Sequence, residues 1–455
     1  MQDDMKRIAF LFLAVSSLCL NADAATRPHY GRTLRVSLLA RPTSLEPIQS
    51  LAPTAPQLAE LIFDTLVSLD QQARPQPQLA ISWSAEGGNR RWQINLRPGV
   101  MFHDGSPLTP EVVASSLRAA NPSWQVSANG DSVQIVTDAP NDTLPAELSL
   151  VRNAIVRRDS SGKILGTGPF RVNDFLPGRK LTLAANDDYW NARPFLDSIE
   201  IEFGISPRDQ LIALELGKAD LIEIAPEQIR RSTADGRRVV VSRPIDLFAL
   251  VFTRDRQSAE EGRLRDALSY SLDRASMRSA LLQGEGDVAA AILPLWISGY
   301  EFLFPAKQDL ARAQQIKSGL KQSSPWSLGY NANDPVARLM ADRIVLNAHD
   351  AGLAVQVTPN QQTDLRLVRI PLVSLDVRLA LRGVALAADI PAPAPGGTTL
   401  DQNYQVERSL MDSQRITPLL HLPRAQGIGV TVRNWQRTPD DSWDLESIWL
   451  ATEKP

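Results

Sequence analysis

The chain has 455 residues, of which 43% are hydrophobic and 22% charged, and its formal net charge is only −3. One hydrophobic core rarely organises that many residues, so two or more domains are expected. The near balance of charge argues against the basic patch or stripe of a nucleic-acid surface.

Lys6 and Arg7 stand before a short apolar run, Ile8 to Leu20, and the small-x-small triplet Ala22-Asp23-Ala24 follows it. The run is too short and wrongly flanked for a membrane span and has the make-up of a secretory signal. A cleaved signal over 1–25 is expected, against the alternative of a buried N-terminal helix. The single cysteine, Cys19, lies inside the run, and Leu18 before it is not the small residue a lipid-anchor site requires. No lipid anchor is expected, and the exported chain would hold neither disulfides nor thiolate metal ligands. No other segment is long and apolar enough to span a bilayer, so a soluble periplasmic protein is expected.

Leu34 to Leu38 alternates as a half-buried strand does, and a Pro-rich loop, Pro42 to Pro56, follows. Leu58, Leu61 and Ile62 form a helical stripe, and Leu66 to Leu69 reads as a strand. Trp92 to Leu96 alternates again and ends at the turn pair Pro98-Gly99. Thr109 before Pro110 predicts a helix start, with Glu111 in its first turn. Val172 to Leu183 reads as two strands broken at Pro177-Gly178, and Ile199 to Phe203 as another. Ser206-Pro207 opens a helix that stops at Gly217. Leu221 to Ile224 and the apolar run Leu247 to Phe252 are strands. Leu264, Ala267, Leu268, Ser271, Leu272 and Ala275 share a helical face. Asp334-Pro335 predicts a further helix, closed by Gly352, with a strand at Leu353 to Val357. Strands and helices alternate through most of the chain, which argues for an α/β architecture. Pro391 to Gly397 is the most linker-like stretch.

Five blocks occur in order. They are Trp92 to Thr109, containing Phe102-His103-Asp104-Gly105; Gly166-Thr167-Gly168-Pro169-Phe170; Asn186-Asp187-Asp188-Tyr189-Trp190; Gly217-Lys218-Ala219-Asp220; and Leu264 to Arg274. Together they resemble the family 5 extracellular solute-binding proteins, the dipeptide, oligopeptide and nickel binders of ABC importers. The resemblance implies a two-lobed periplasmic-binding-protein-like fold of class II. Lobe I would take 26–248 and 416–455, with an extra subdomain over about 72–165, and lobe II 249–415. Hinge crossings would lie near Pro244 to Phe252 and Ile416 to Pro423, and Trp435, Trp443 and Trp449 would return to lobe I. It further implies a monomeric binder without cofactor or catalysis, which captures a short peptide or similar small solute and delivers it to ABC permease subunits. The alternative is a peptide sensor or chaperone-like holder that works without a transporter.

Two departures stand out. Val112 follows Glu111 where the family carries aspartate. Leu365 to Gly397 is short, apolar and free of tryptophan, where the family carries a longer stretch with a tryptophan and aspartates against the ligand. Lobe II is thus expected to be trimmed.

Candidate ligand contacts are Arg41, Ser44 and Glu46 in the loop after the first strand, which borders the ligand in the family. Trp296, Trp326 and Tyr330 offer aromatic walls, with core packing as the plainer reading. Asp376 and Arg378, with Arg369 and Arg382, suit a carboxylate or ammonium group. Their alternation with Leu375, Val377, Leu379 and Leu381 also describes a strand with one solvated face. His29, His103, His349 and His421 show no metal-ligand spacing. His103-Asp104-Gly105 reads as a turn rather than an acid/base pair, since nothing beside it supplies a nucleophile. Gly166-Thr167-Gly168 and Gly284-Glu285-Gly286 continue into no phosphate or dinucleotide motif and read as turns.

Overall fold

A computed structural model describes residues 28–48, 55–322, 324–334, 336–358, 362–393, 397–436 and 443–451. The signal segment, Cys19 and Pro335 lie outside the described residues.

An 11-stranded mixed sheet runs through the molecule. Thr33–Leu38 lies near its first half, parallel to Ser198–Phe203 on one side and Leu221–Ile224 on the other. The alternation seen in the sequence buries Leu34, Val36 and Leu38. Parallel neighbours require crossovers, which fits the alternating strand-helix order. Phe170–Leu176 and Lys180–Ala185 form the hairpin expected at Pro177-Gly178, with Gly178 at φ +67°. At the far end stand Leu365–Pro371, Trp326–Tyr330 and Val355–Val357. A separate four-stranded sheet, containing Ala80–Glu86 and Arg91–Leu96, carries the helix Pro110–Ala120 on one face.

The buried hydrophobic residues fall into distinct cores. One gathers Leu34, Phe170, Ile199 and Leu221 with Trp443 and Leu450 near the chain end. A second belongs to the four-stranded sheet and holds Trp92, Ile94, Val113 and Leu117. A third gathers Phe248, Leu268, Trp326, Met340 and Leu420, and a fourth Leu247, Ile292, Leu381 and Val384.

Some local expectations hold and others need correction. Thr109 sits at the N-cap position, but its side chain makes no cap bond. The helix Ala259–Ser271 stops before Leu272, which is extended, so Ala275 belongs to a separate short turn. Asp334 precedes rather than caps its helix: the helix is Ala337–Asp350, and Asp334 accepts from the Val336 amide at 3.0 Å. The stretch 377–387 is a helix, not a strand. Asp376 caps it by accepting from the amides of Arg378 and Leu379. That cap, with Leu379, Ala380, Val384 and Ala385 turned inward, outweighs the two-residue alternation. His103-Asp104-Gly105 is a turn: Gly105 has φ +77° and its amide donates to the Phe102 carbonyl at 2.8 Å.

Candidate functional site

Two long antiparallel strands, Val239–Phe252 and Ile416–Ile428, cross from one set of cores to the other. At one end Val239, Val241 and Ala425 pack with Ile222 and Ile224. Further along, Phe248, Leu250 and Leu420 enter the core around Trp326. Between these ends the pairing slips twice, where Pro244 stands opposite Pro423. Proline removes a ladder donor, so the ribbon is weakest there.

Beside that irregularity lies Asp246, 1% exposed. It accepts from Arg369 Nε at 2.7 Å, and from Arg424 Nε at 3.0 Å and Nη2 at 2.7 Å. Burial pushes its carboxyl up, but the Arg424 and Arg369 charges and hydrogen bonds outweigh burial and hold it below the ordinary carboxylate range. Trp296 Nε1 donates to the Pro244 carbonyl at 2.9 Å, and the Arg243 guanidinium sits 5.2 Å over its ring. The two crossing strands, the end of Leu365–Pro371 and the turn holding Trp296 thus meet at one point.

The carboxyl end of Leu221–Ile224 faces the same place. Half-buried Glu223 accepts from the Leu39 amide at 2.6 Å, which pins the exit of the first strand. The next turn, Pro226–Gln228, places Glu227 Oε2 and Gln228 Oε1 in buried positions with no donor. Burial raises the Glu227 carboxyl, and Asp334 raises it further while Arg369 lowers it. Asp334 and Arg369 follow or end strands of the Trp326 core, so charges of that half act on Glu227. Ligands in open α/β sheets bind at such carboxyl ends of strands.

A second set of contacts joins the halves. Arg378 Nη1 donates to Asp142 Oδ2 at 2.9 Å, and Arg382 Nη1 to Glu147 Oε1 at 2.9 Å. Both arginines stand one turn apart on the helix Val377–Ala387, and both acids flank or lie in the short helix Leu144–Glu147 beside the four-stranded sheet. Glu147 is further held by Thr143 Oγ1 at 2.9 Å and Asn141 Nδ2 at 3.3 Å.

The residues singled out in the sequence scatter among several roles. Arg41 is exposed and donates to the Gly204 carbonyl at 3.1 Å. Ser44 accepts from the Glu46 amide at 3.1 Å, and Glu46 forms an ion pair with Arg158. Trp326 is 6% exposed and stacks edge-on against Phe252 at 5.2 Å, so it lies within the core. Tyr330 is half-buried against that core. Trp296 reaches the crossing; Asp376 serves as a cap and Arg378 as an inter-half bridge. Sequence reasoning passed over Glu223, Glu227, Gln228, Asp246 and Arg424. A lone acid inside Leu-Ile-Glu-Ile, and another just before the apolar run at Leu247, were the available signals.

Among the described residues no group of three His, Asp, Glu or Cys is placed to hold a metal ion. His421 is fully buried, and burial lowers its pKa to about 4; its Nε2 lies 3.1 Å from the Ile292 carbonyl.

Residues 74–377 match the model of the bacterial extracellular solute-binding proteins, family 5. The nickel-binding protein NikA of Staphylococcus aureus is 26% identical over 294 residues, 61% of this chain and 58% of that relative. The chain spans less than two thirds of the length of the first curated relatives it matches. In fold it is similar to the oligopeptide-binding protein AppA of Bacillus subtilis, solved with a nonapeptide. That likeness has a TM-score of 0.78 at 18% identity and covers 94% of this chain and 100% of that one. DppA of Helicobacter pylori, solved with the peptide STSA, gives a TM-score of 0.82 at 15% identity, covering 93% and 99%.

Proposed function

The chain belongs to the bacterial extracellular solute-binding proteins of family 5, and we propose that it captures a short peptide between its two lobes and delivers it to an ABC permease. Members of this class bind substrates and are not enzymes. The observation that carries the reading is the pair of buried, donor-less acceptors on the Pro226–Gln228 turn, where the charges of Asp334 and Arg369 act on Glu227. A solute there touches both lobes, and only a ligand with differential affinity for the closed state can drive closure. The peptides bound to AppA and DppA support a peptide as solute.

In this reading lobe I comprises 26–248 and 416–455, lobe II comprises 249–415, and the hinge is the pairing irregularity at Pro244 and Pro423. The loop Arg41 to Glu46, Trp296 and Tyr330 border the solute, and Asp376 and Arg378 organise the rim. The family is extracytoplasmic, and no helix among the described residues is long and apolar enough to cross a membrane. Export by a cleaved signal over 1–25, without a lipid anchor, completes the reading, with a monomer as the working form.

A thermal-shift screen of the exported chain against di- to pentapeptides, sugars, opines and nickel complexes tests it. A ligand at 100 times its Kd stabilises by about 2.7 kcal/mol, enough to raise the melting temperature measurably. If no peptide raises it and another class does, the peptide assignment is wrong.

A further inference from the structure

We propose that the turn Pro226–Gln228 is the subsite for a cationic, hydrogen-donating group of the solute, an ammonium or guanidinium, received by Glu227 Oε2 and Gln228 Oε1. This rests on the solute-binding reading and names the chemistry of one end of the solute. Both atoms are buried acceptors without a donor, and buried polar atoms are rarely left so. Several neighbouring protein donors are engaged elsewhere. Arg369 Nε and Arg424 bond Asp246, the Leu39 amide bonds Glu223, and Trp296 Nε1 bonds the Pro244 carbonyl.

Charge selects among possible partners. The ionisable groups acting on Glu227 are Asp334, which repels a second negative charge, and Arg369, whose charge is shared with Asp246. Half-buried Glu223, on the strand that leads into the turn, adds another carboxyl group. An anionic group would meet the charge of Asp334 and leave the two acceptors still without a donor. A cation finds acceptors and the right sign.

The first acid after the strand Leu365–Pro371, Asp376, is spent on the amides of Arg378 and Leu379 and on the Arg378 guanidinium, which leaves the two acceptors of the turn and Asp334 to meet a cation.

Isothermal titration at pH 7 with Ala-Ala-Ala, N-acetyl-Ala-Ala-Ala and N-acetyl-Ala-Lys-Ala, beside cadaverine, arginine and succinate, tests this. The first and third peptides are expected to bind at least tenfold tighter than the second. Glu227→Gln, a near-isosteric change, should remove that preference. Gln228→Glu should strengthen cation binding, which guards against a Glu227 variant that merely misfolds. Equal binding of all three peptides, in parent and variant alike, overturns the subsite and leaves peptide capture standing. Binding of cadaverine or arginine that Glu227→Gln abolishes, with no peptide bound, supports the subsite and removes the peptide. Binding of succinate alone, or of none of the six probes, overturns both.

Discussion

Removing Arg378 and Arg382 should loosen the contact between the lobes without unfolding either. Arg378 is 17% exposed and its partner Asp142 49%; Arg382 is 48% exposed and Glu147 9%. One member of each pair is thus well solvated, so each bridge is discounted to about 0.5–1 kcal/mol. Glu147 keeps its bonds to Thr143 and Asn141 when Arg382 is lost, so no orphaned buried carboxylate adds to the cost. Together the two bridges amount to about 1–2 kcal/mol, which lowers the closed-to-open ratio roughly 5- to 30-fold. The only cysteine lies in the segment 1–25, so single cysteines placed at exposed Ser127 and Ser318 would carry dyes for a distance measurement. Arg378→Ala with Arg382→Ala should lengthen and broaden the distance distribution at low salt. About 0.5 M salt should move the parent toward the variant, because screening weakens exposed pairs. A distribution in the double variant equal to that of the parent at low salt would refute the reasoning.

Two further changes have defined outcomes. Asp246→Ala leaves Arg369 and Arg424 without their shared buried acceptor and should cost about 3–5 kcal/mol, read from denaturant unfolding. Glu407 is raised to about 7, by burial first, although its Oε1 accepts from the Leu293 amide at 2.9 Å. A carboxyl raised on folding contributes stability that is full below its unfolded pKa of 4.5 and lost as pH climbs through about 7. Glu407→Gln should therefore gain on the parent by up to roughly 3 kcal/mol between pH 5 and 8. The difference between the two proteins is the quantity to follow, because half-buried His103 and buried His421, both lowered to about 4 by desolvation, act with the opposite sign below pH 6.5.

The parts of the fold legible in the sequence were local. Alternation at Thr33–Leu38, the Pro177-Gly178 turn and the Ser206-Pro207 helix start are each decided by residues a few positions apart. The stretch 377–387 was misread because its leucines alternate while its cap and inward face obey the helical period; both patterns coexist in Leu-Asp-Val-Arg-Leu-Ala-Leu. The site was harder. Arg378 meets Asp142 across 236 positions, and Arg424 meets Asp246 across 178. Sequence spacing carries no trace of such pairs. Trp326 shows the same limit from the other side: an aromatic residue looks alike in a cleft wall and in a core until its neighbour Phe252 is known.

Hydrogen exchange on the exported chain, with and without the peptide that raises its melting temperature most, tests capture between the lobes most directly. The account predicts added protection on both sides together: at Leu39 to Glu46 and Pro226 to Ile229, and at Tyr330 to Asp334 and Arg369 to Asp376. Protection confined to one lobe, or spread over its outer surface while these segments exchange as before, would contradict it.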